Sequence, residues 1–376
     1  MLRKLITFII SLSICVPHIS AFAEPLTPEV KSAILMEAST GTVLYEQNPD
    51  EHLPIASVTK IMTMLLIMER IDSGALSFED MVTVSENAMS YGGSTMFLEA
   101  GETLSVHDMM KGIAVASAND GCVAMAEHIA GSESAFVEMM NNRAKELGME
   151  NTVFLNTNGL DADGQYSSAR DVAIMSCELI KHKKIFEYTK IWTDSLRDGK
   201  FELANTNRLV RFYSGATGLK TGSTSQAGCC LSATAERDGM SLVAVVLGAP
   251  DTKSRFASAT TLLNHGFSGY NVKKQVEKGE PTGLVRISKG ITDTVKTEAS
   301  DSFSVLMQKT NPRNIEKSIT LSDTISAPVK KGDKLGEINF SENGENIYSV
   351  DIVASDDVNK KGFHLVLLDT LSGLLI

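Results

Sequence analysis

Between Val58 and Ile71 the chain carries Ile61, Met62, Met64, Leu65, Leu66, Ile67 and Met68. At the helical period those side chains cover nearly every side, so a helix here has to be enclosed by the rest of the protein rather than lie on its surface. The enclosing elements are legible on both sides of it. Ser32–Glu37 and Thr42–Glu46 flank the turn residues Ser39-Thr-Gly41 and predict a β-hairpin. Cys229–Glu236 and Met240–Leu247, joined across Asp238-Gly239, predict a second hairpin of β-branched and alternating apolar residues. Helical stretches are expected around 105–130, 133–147 and 169–183. Strands at both ends with helices between them imply an α+β arrangement with one sheet assembled from distant segments.

The N-terminus has Arg3 and Lys4, an apolar run from Leu5 to Val16 and a small-x-small site at Ala21-Phe-Ala23, which together predict a signal peptide over 1–23 and an exported chain. The formal charge is −11, and Arg3 and Lys4 are the only ionised side chains of residues 1–23, so the remainder carries −13. That balance excludes nucleic-acid binding by general electrostatics. Cys122, Cys177, Cys229 and Cys230 lie beyond the signal. The adjacent pair Cys229-Cys230, inside an apolar run, reads as two buried small residues rather than a disulfide. The seven histidines have no zinc-ligand spacing, and no metal or organic cofactor is expected.

Near residue 270 the composition turns to Lys273-Lys-Gln275 and Lys278-Gly-Glu-Pro281, followed by short Val/Ile/Thr runs. This predicts a catalytic unit over 24–271 and a small all-β domain over 272–360. The apolar tail, 361–376, would reach only ~21 Å as a helix over its last fourteen residues, too short to span a bilayer. It reads either as an amphipathic anchor making a peripheral membrane contact or as a last strand.

Three short motifs carry chemistry. Ser57-Val-Thr-Lys60 puts a hydroxyl and an ammonium three residues apart on one helical face. Lys60 can accept the serine proton only as a neutral amine. From an ordinary value of ~10.4 that needs a depression of about three units, by burial and a second cation such as Lys220. The alternative role for Ser57 is as the cap of the helix it opens. Ser-x-Asn occurs at Ser85, Ser117 and Ser341. Ser117 with Asn119 is preferred because it follows apolar Gly112–Ala116, where buried polar groups need a reason. Ser117 could relay a proton and Asn119 orient the lysine. Lys220-Thr221-Gly222 precedes the second hairpin and is expected on an edge strand, the glycine allowing a close backbone approach, the threonine binding a carboxylate and the lysine bringing charge.

The order S-x-x-K, S-x-N, K-T-G, spaced by 60 and 103 residues, is an established signature of penicillin-binding proteins and class A β-lactamases. The chain resembles the low-molecular-mass penicillin-binding proteins, serine D-alanyl-D-alanine carboxypeptidases of the sporulation-linked Gram-positive type. Gly41–Glu46, Leu53–Thr63, Gly159–Asp171 and Gly218–Gly222 extend the likeness over almost the whole chain. The resemblance implies a transpeptidase/β-lactamase-like domain, an antiparallel sheet covered by helices, followed by a β-sandwich. It implies that Ser57 is acylated by stem peptides of peptidoglycan ending in D-Ala-D-Ala and by β-lactams, and that Lys60 is the proton acceptor. Ser117 and Asn119 would line the cleft, with Lys220, Thr221 and Gly222 facing the substrate carboxylate. The backbone N–H groups of Ser57 and Ser223 would form the oxyanion hole, and Arg255 would help hold the terminal carboxylate. Ser223 stands where some members have histidine, and the tail is poor in basic residues.

A serine β-lactamase is the nearest rival, but its E-x-x-L-N motif is absent: Glu150 and Leu155-Asn156 have the wrong spacing. A transpeptidase or endopeptidase would differ only in the acceptor of the acyl group or in the peptide cut. A non-catalytic cell-wall binding protein would be expected to lack Ser57, Lys60 or Lys220, all of which are present.

Overall fold

A computed structural model describes residues 25–362. The expected signal peptide and most of the apolar tail lie outside the described residues. Ser32–Glu37 (β1) and Thr42–Gln47 (β2) form the first hairpin. Ala216–Thr224 (β3), Gly228–Arg237 (β4) and Met240–Ala249 (β5) complete a five-stranded antiparallel sheet in the order β2-β1-β5-β4-β3. The sheet is thus closed by pairing Ser32–Glu37 with Leu242–Leu247, and β3 is left at its edge.

Side-chain alternation along the two central strands separates two cores. Ile34, Met36, Val243, Val245 and Leu247 face the helical core that holds Lys60–Asp72 (α1). Ala33, Leu35, Leu242, Ala244 and Val246 face the opposite way, against Ala259, Leu262, Leu263 and Phe267 of Thr252–Gly269 (α2). That helix is a finding of the structure: its Ser, Thr, Asn and Gly content gives a weak helical signal in sequence.

Every residue of α1 from Lys60 to Met68 is buried. Its seven large apolar side chains gain about 10–20 kcal/mol of transfer free energy, enough to carry one buried lysine at a penalty of several kcal/mol. The helix expected over 105–130 is broken in two, Val106–Lys111 and Asn119–Ala130, by a wide turn at Gly112–Ala116. The helix expected over 169–183 ends at Leu179.

After α2 the ordered elements among the described residues are all β strands. A six-stranded sheet runs, by residue range, 315–321, 334–342, 345–354, 294–299, 281–288 and 324–326, and a separate pair joins Tyr270–Val276 to Phe303–Gln308. Two small apolar clusters, one around Val285 and Leu335 and one around Ile338, Phe340 and Ile352, form its core. The molecule is an α+β domain followed by an all-β domain. Among the described residues no helix is long and apolar enough to cross a membrane.

Candidate active site

Ser57 lies in a 3₁₀ turn, Ala56–Thr59, and the α-helix itself begins at Lys60 rather than at Ser57. Ala56 is left-handed, with φ 48°. The Ser57 side chain caps nothing; its Oγ is 2.9 Å from Lys60 Nζ, which donates to it. Lys60 is completely buried and also donates to Asn119 Oδ1 at 2.7 Å and to the Asn158 carbonyl at 2.6 Å. Three acceptors around one Nζ use its three donors and fix its position beside the serine.

Burial lowers the Lys60 pKa to about 8, against opposing contributions from Cys122 and Asp120. Burial also pushes the Cys122 thiol up to about 12. Lys220 is buried too, and its ammonium lies well below its ordinary range, first through burial and then through the charge of Lys60. Desolvation is the largest cause of the lowering at Lys60, and Lys220, close enough for the two lysine charges to repel each other, donates to the Thr221 carbonyl at 3.0 Å.

The break in the central helix positions the second motif. Ser117 takes up a left-handed conformation, φ 64° and ψ 35°, after the wide turn, so the next helix starts afresh at Asn119. A straight helix would carry Asn119 past Lys60. Here its amide spans the cleft floor, accepting from Lys60 and donating through Nδ2 to the Gly92 carbonyl at 2.7 Å. Ser117 is 4% exposed at the same corner, and no side-chain hydrogen bond joins it to Ser57, Lys60 or Lys220 among the described residues. The other Ser-x-Asn copies are structural. Ser85 caps a short helix and bonds Glu127, as does Asn87, while Asn343 makes the turn of a hairpin in the β-domain.

Asp120 escaped the sequence reading. Its carboxylate, 1% exposed, accepts from the N–H groups of Met96, Leu98 and Gly121 and pins the loop over 92–98 to the helix that carries Asn119. Its place beside Asn119 was the only available signal. Asp120→Ala leaves these buried donors unpaired and is expected to destabilise the fold by about 3–5 kcal/mol. Urea unfolding measures this, and an unchanged midpoint would contradict it.

Strand β3 supplies the third motif and is the sheet edge, as its position predicts. Thr221 Oγ1 donates to Thr206 Oγ1 at 2.6 Å, and Ser223 is exposed with Oγ 3.6 Å from Cys229 Sγ. Gly222 also has a use within the fold. A Cβ there would stand 2.7 Å from the Ile55 carbonyl and 2.9 Å from Ser57 N, so the glycine admits the serine turn itself. Arg255 is 6% exposed; its Nη1 donates to the carbonyls of Gly222, at 3.2 Å, and Cys230, at 3.4 Å, and its Nε is buried without a partner. Burial lowers its pKa. All four described cysteines are free; Cys230 is buried as expected, whereas Cys229 is only half-buried. Across the cleft, Thr224 Oγ1 donates to Asp161 Oδ1 at 2.7 Å.

This geometry agrees with what the chain is similar to. Residues 20–251 match the family model described as D-alanyl-D-alanine carboxypeptidase. The chain belongs to the D-alanyl-D-alanine carboxypeptidase family. Residues 270–360 of this carboxypeptidase match a second model, the C-terminal domain of penicillin-binding protein 5. It is 44% identical to D-alanyl-D-alanine carboxypeptidase DacF of Bacillus subtilis over 99% of this chain and 98% of that one. Among solved structures it is similar to penicillin binding protein 5 from Haemophilus influenzae, with a TM-score of 0.71 and 32% identity, covering 88% of this chain and 98% of that one. Penicillin-binding protein D2 from Listeria monocytogenes in its ampicillin-bound form is similar at 34% identity and a TM-score of 0.58, covering 64% of this chain and 98% of that one.

Proposed function

We propose that this carboxypeptidase removes the terminal D-alanine of peptidoglycan stem peptides through an acyl-enzyme on Ser57, outside the cytoplasm, with residues 24–271 as the catalytic unit and 272–360 as a separate β-domain. The observation that carries the reading is a fully buried Lys60 amine, its pKa lowered to about 8, lying 2.9 Å from Ser57 Oγ. Neutral Lys60 takes the proton as Oγ attacks the penultimate D-Ala carbonyl. The backbone N–H groups of Ser57 and Ser223 face the developing oxyanion, where one donor is typically worth ~3 kcal/mol. The C–N bond then breaks, and Ser117 relays a proton to the departing amine. Water releases the shortened peptide. Thr221, Ser223 and the charge of Lys220 meet the terminal carboxylate, and Arg255 supports them from behind Gly222. A β-lactam acylates the same serine but keeps its leaving group tethered, so its adduct persists.

Intact mass of residues 24–376 after brief exposure to benzylpenicillin, with peptide mapping, tests this together with D-alanine release. One adduct on Ser57 with release of D-alanine is the expected result. An adduct without release points to transpeptidation or a different peptide, rapid penicillin turnover to a β-lactamase, and neither signal overturns the assignment of Ser57. The pH profile is a second test. Because the base works neutral, acylation should rise about tenfold per pH unit below pH 8 and level off above it. Stopped-flow acylation between pH 5.5 and 9.5 measures this, and a flat profile would remove Lys60 as the base.

A further inference from the structure

Beside the carboxylate end of the cleft lies a cavity of about 510 Å³ lined by Arg208, Leu209, Phe212, Thr252, Lys253 and Phe256. It adjoins the motif residues at two points. Thr206, which holds the Thr221 hydroxyl at 2.6 Å, is two residues before Arg208, and Cys229, 3.6 Å from Ser223 Oγ, has its sulfur 4.0 Å from Thr252 Oγ1. Its chemistry is unbalanced. Neither Arg208 nor Lys253 forms an ion pair or a side-chain hydrogen bond among the described residues. The neighbouring acid, Asp251, caps α2 through Ser254 N and also feels the charge of Lys253, leaving one acid beside two cations. The guanidinium of Arg255 sits over the Phe256 ring, 4.7 Å from its centre, with a buried Nε that has no partner. Phe212, 72% exposed, forms an apolar wall, its ring held edge-on against Trp192.

We propose that this cavity is a leaving-group subsite for a D-residue whose side chain is extended, apolar along its stem and anionic at its end. The inference rests on the carboxypeptidase reading above. Thr221 and Ser223 fix the carboxylate of the residue after the scissile bond, so that residue's own side chain is the part of the substrate nearest Thr252 and Arg208. Alanine leaves the cavity unfilled. A longer chain lays its methylenes against Phe212, Phe256 and Leu209 and brings its terminal carboxylate to Arg208 and Lys253. The chemistry is unchanged: Ser57 Oγ bonds the carbonyl carbon, the C–N bond breaks, and the departing amine takes the proton. Only the amine is larger, so the protein would also cut peptides in which the final D-residue is a dicarboxylic amino acid.

The test uses residues 24–376 and three peptides identical up to D-Ala, ending in D-alanine, D-norleucine or D-2-aminoadipate. At low salt kcat/KM for the aminoadipate peptide should exceed that for norleucine by about tenfold, the size expected of two partly desolvated charge contacts. Arg208→Gln with Lys253→Gln should abolish that preference while D-alanine release stays within about twofold, and Arg208→Lys in the Lys253 background should restore part of it. Equal rates for the two long peptides, or a preference that survives the double substitution, overturns the subsite. Failure to release D-alanine from the first peptide would instead overturn the underlying reading, so the two failures are separable.

Discussion

Ser57→Ala should abolish D-alanine release and the benzylpenicillin adduct, a fall of about 10⁴-fold or more, with thermal unfolding within a few degrees of the unchanged protein. The two halves of this result have separate causes. The Ser57 hydroxyl is partly exposed, caps no helix and makes a single described side-chain bond, to Lys60. Removing it leaves Lys60 with Asn119 Oδ1 and the Asn158 carbonyl, so one of its three donors loses its acceptor while the other two stay paired, and the loss of stability should stay within about 1–3 kcal/mol. Turnover has no such reserve, because alanine offers no atom to acylate. Paired melting curves and D-alanine assays decide the matter. Residual turnover within about a hundredfold of the parent would mean that another nucleophile does the work, and a collapsed fold would mean that Ser57 is structural.

Gly159→Ala should damage both stability and turnover from outside the motifs. Gly159 has φ +85°, and a Cβ on it would fall 1.9 Å from the Ala56 carbonyl oxygen and 2.9 Å from Thr59 Oγ1. Neither backbone can yield freely. Ala56 is already left-handed, and the residue before Gly159 presents its carbonyl to Lys60 Nζ. Overpacking together with an unfavourable φ should cost about 3 kcal/mol or more, which in a domain of this size lowers Tm by roughly 6–12 °C. Displacement of the serine turn and of the lysine acceptor should slow acylation about a hundredfold. Gly269→Ala, where a Cβ would meet nothing within 4 Å, is the control and should be neutral. A Gly159→Ala protein with parental Tm and acylation rate would show that the contact between this loop and the serine turn is dispensable.

Much of this was legible in the sequence, for local reasons. The all-round apolar segment after Ser57 demanded enclosure, and the structure buries α1 from Lys60 to Met68. The two hairpins followed from alternating apolar residues and from turn residues such as Asp238-Gly239. The family, the reaction and the fold class came from three motifs whose order is informative although each alone is weak. Helix α2 was missed because its Ser, Thr and Gly content conceals a buried face that only the sheet beneath it defines.

What the sequence determined by itself is therefore what depends on neighbours along the chain: strand and helix periods, the Ser57–Lys60 spacing and the ordered motifs. Tertiary structure decided the rest. Pairing of Ser32–Glu37 with Leu242–Leu247 joins segments some two hundred residues apart, and no local pattern encodes strand order. The same holds at the site. Asn119 and the Asn158 carbonyl reach Lys60 only because the helix breaks at Ser117 and the loop before Gly159 folds over the serine turn. Burial, which no sequence position carries on its own, is what lowers the Lys60 pKa to about 8. Charge separation from water and close packing are properties of the folded whole, and the chemistry of this enzyme rests on both.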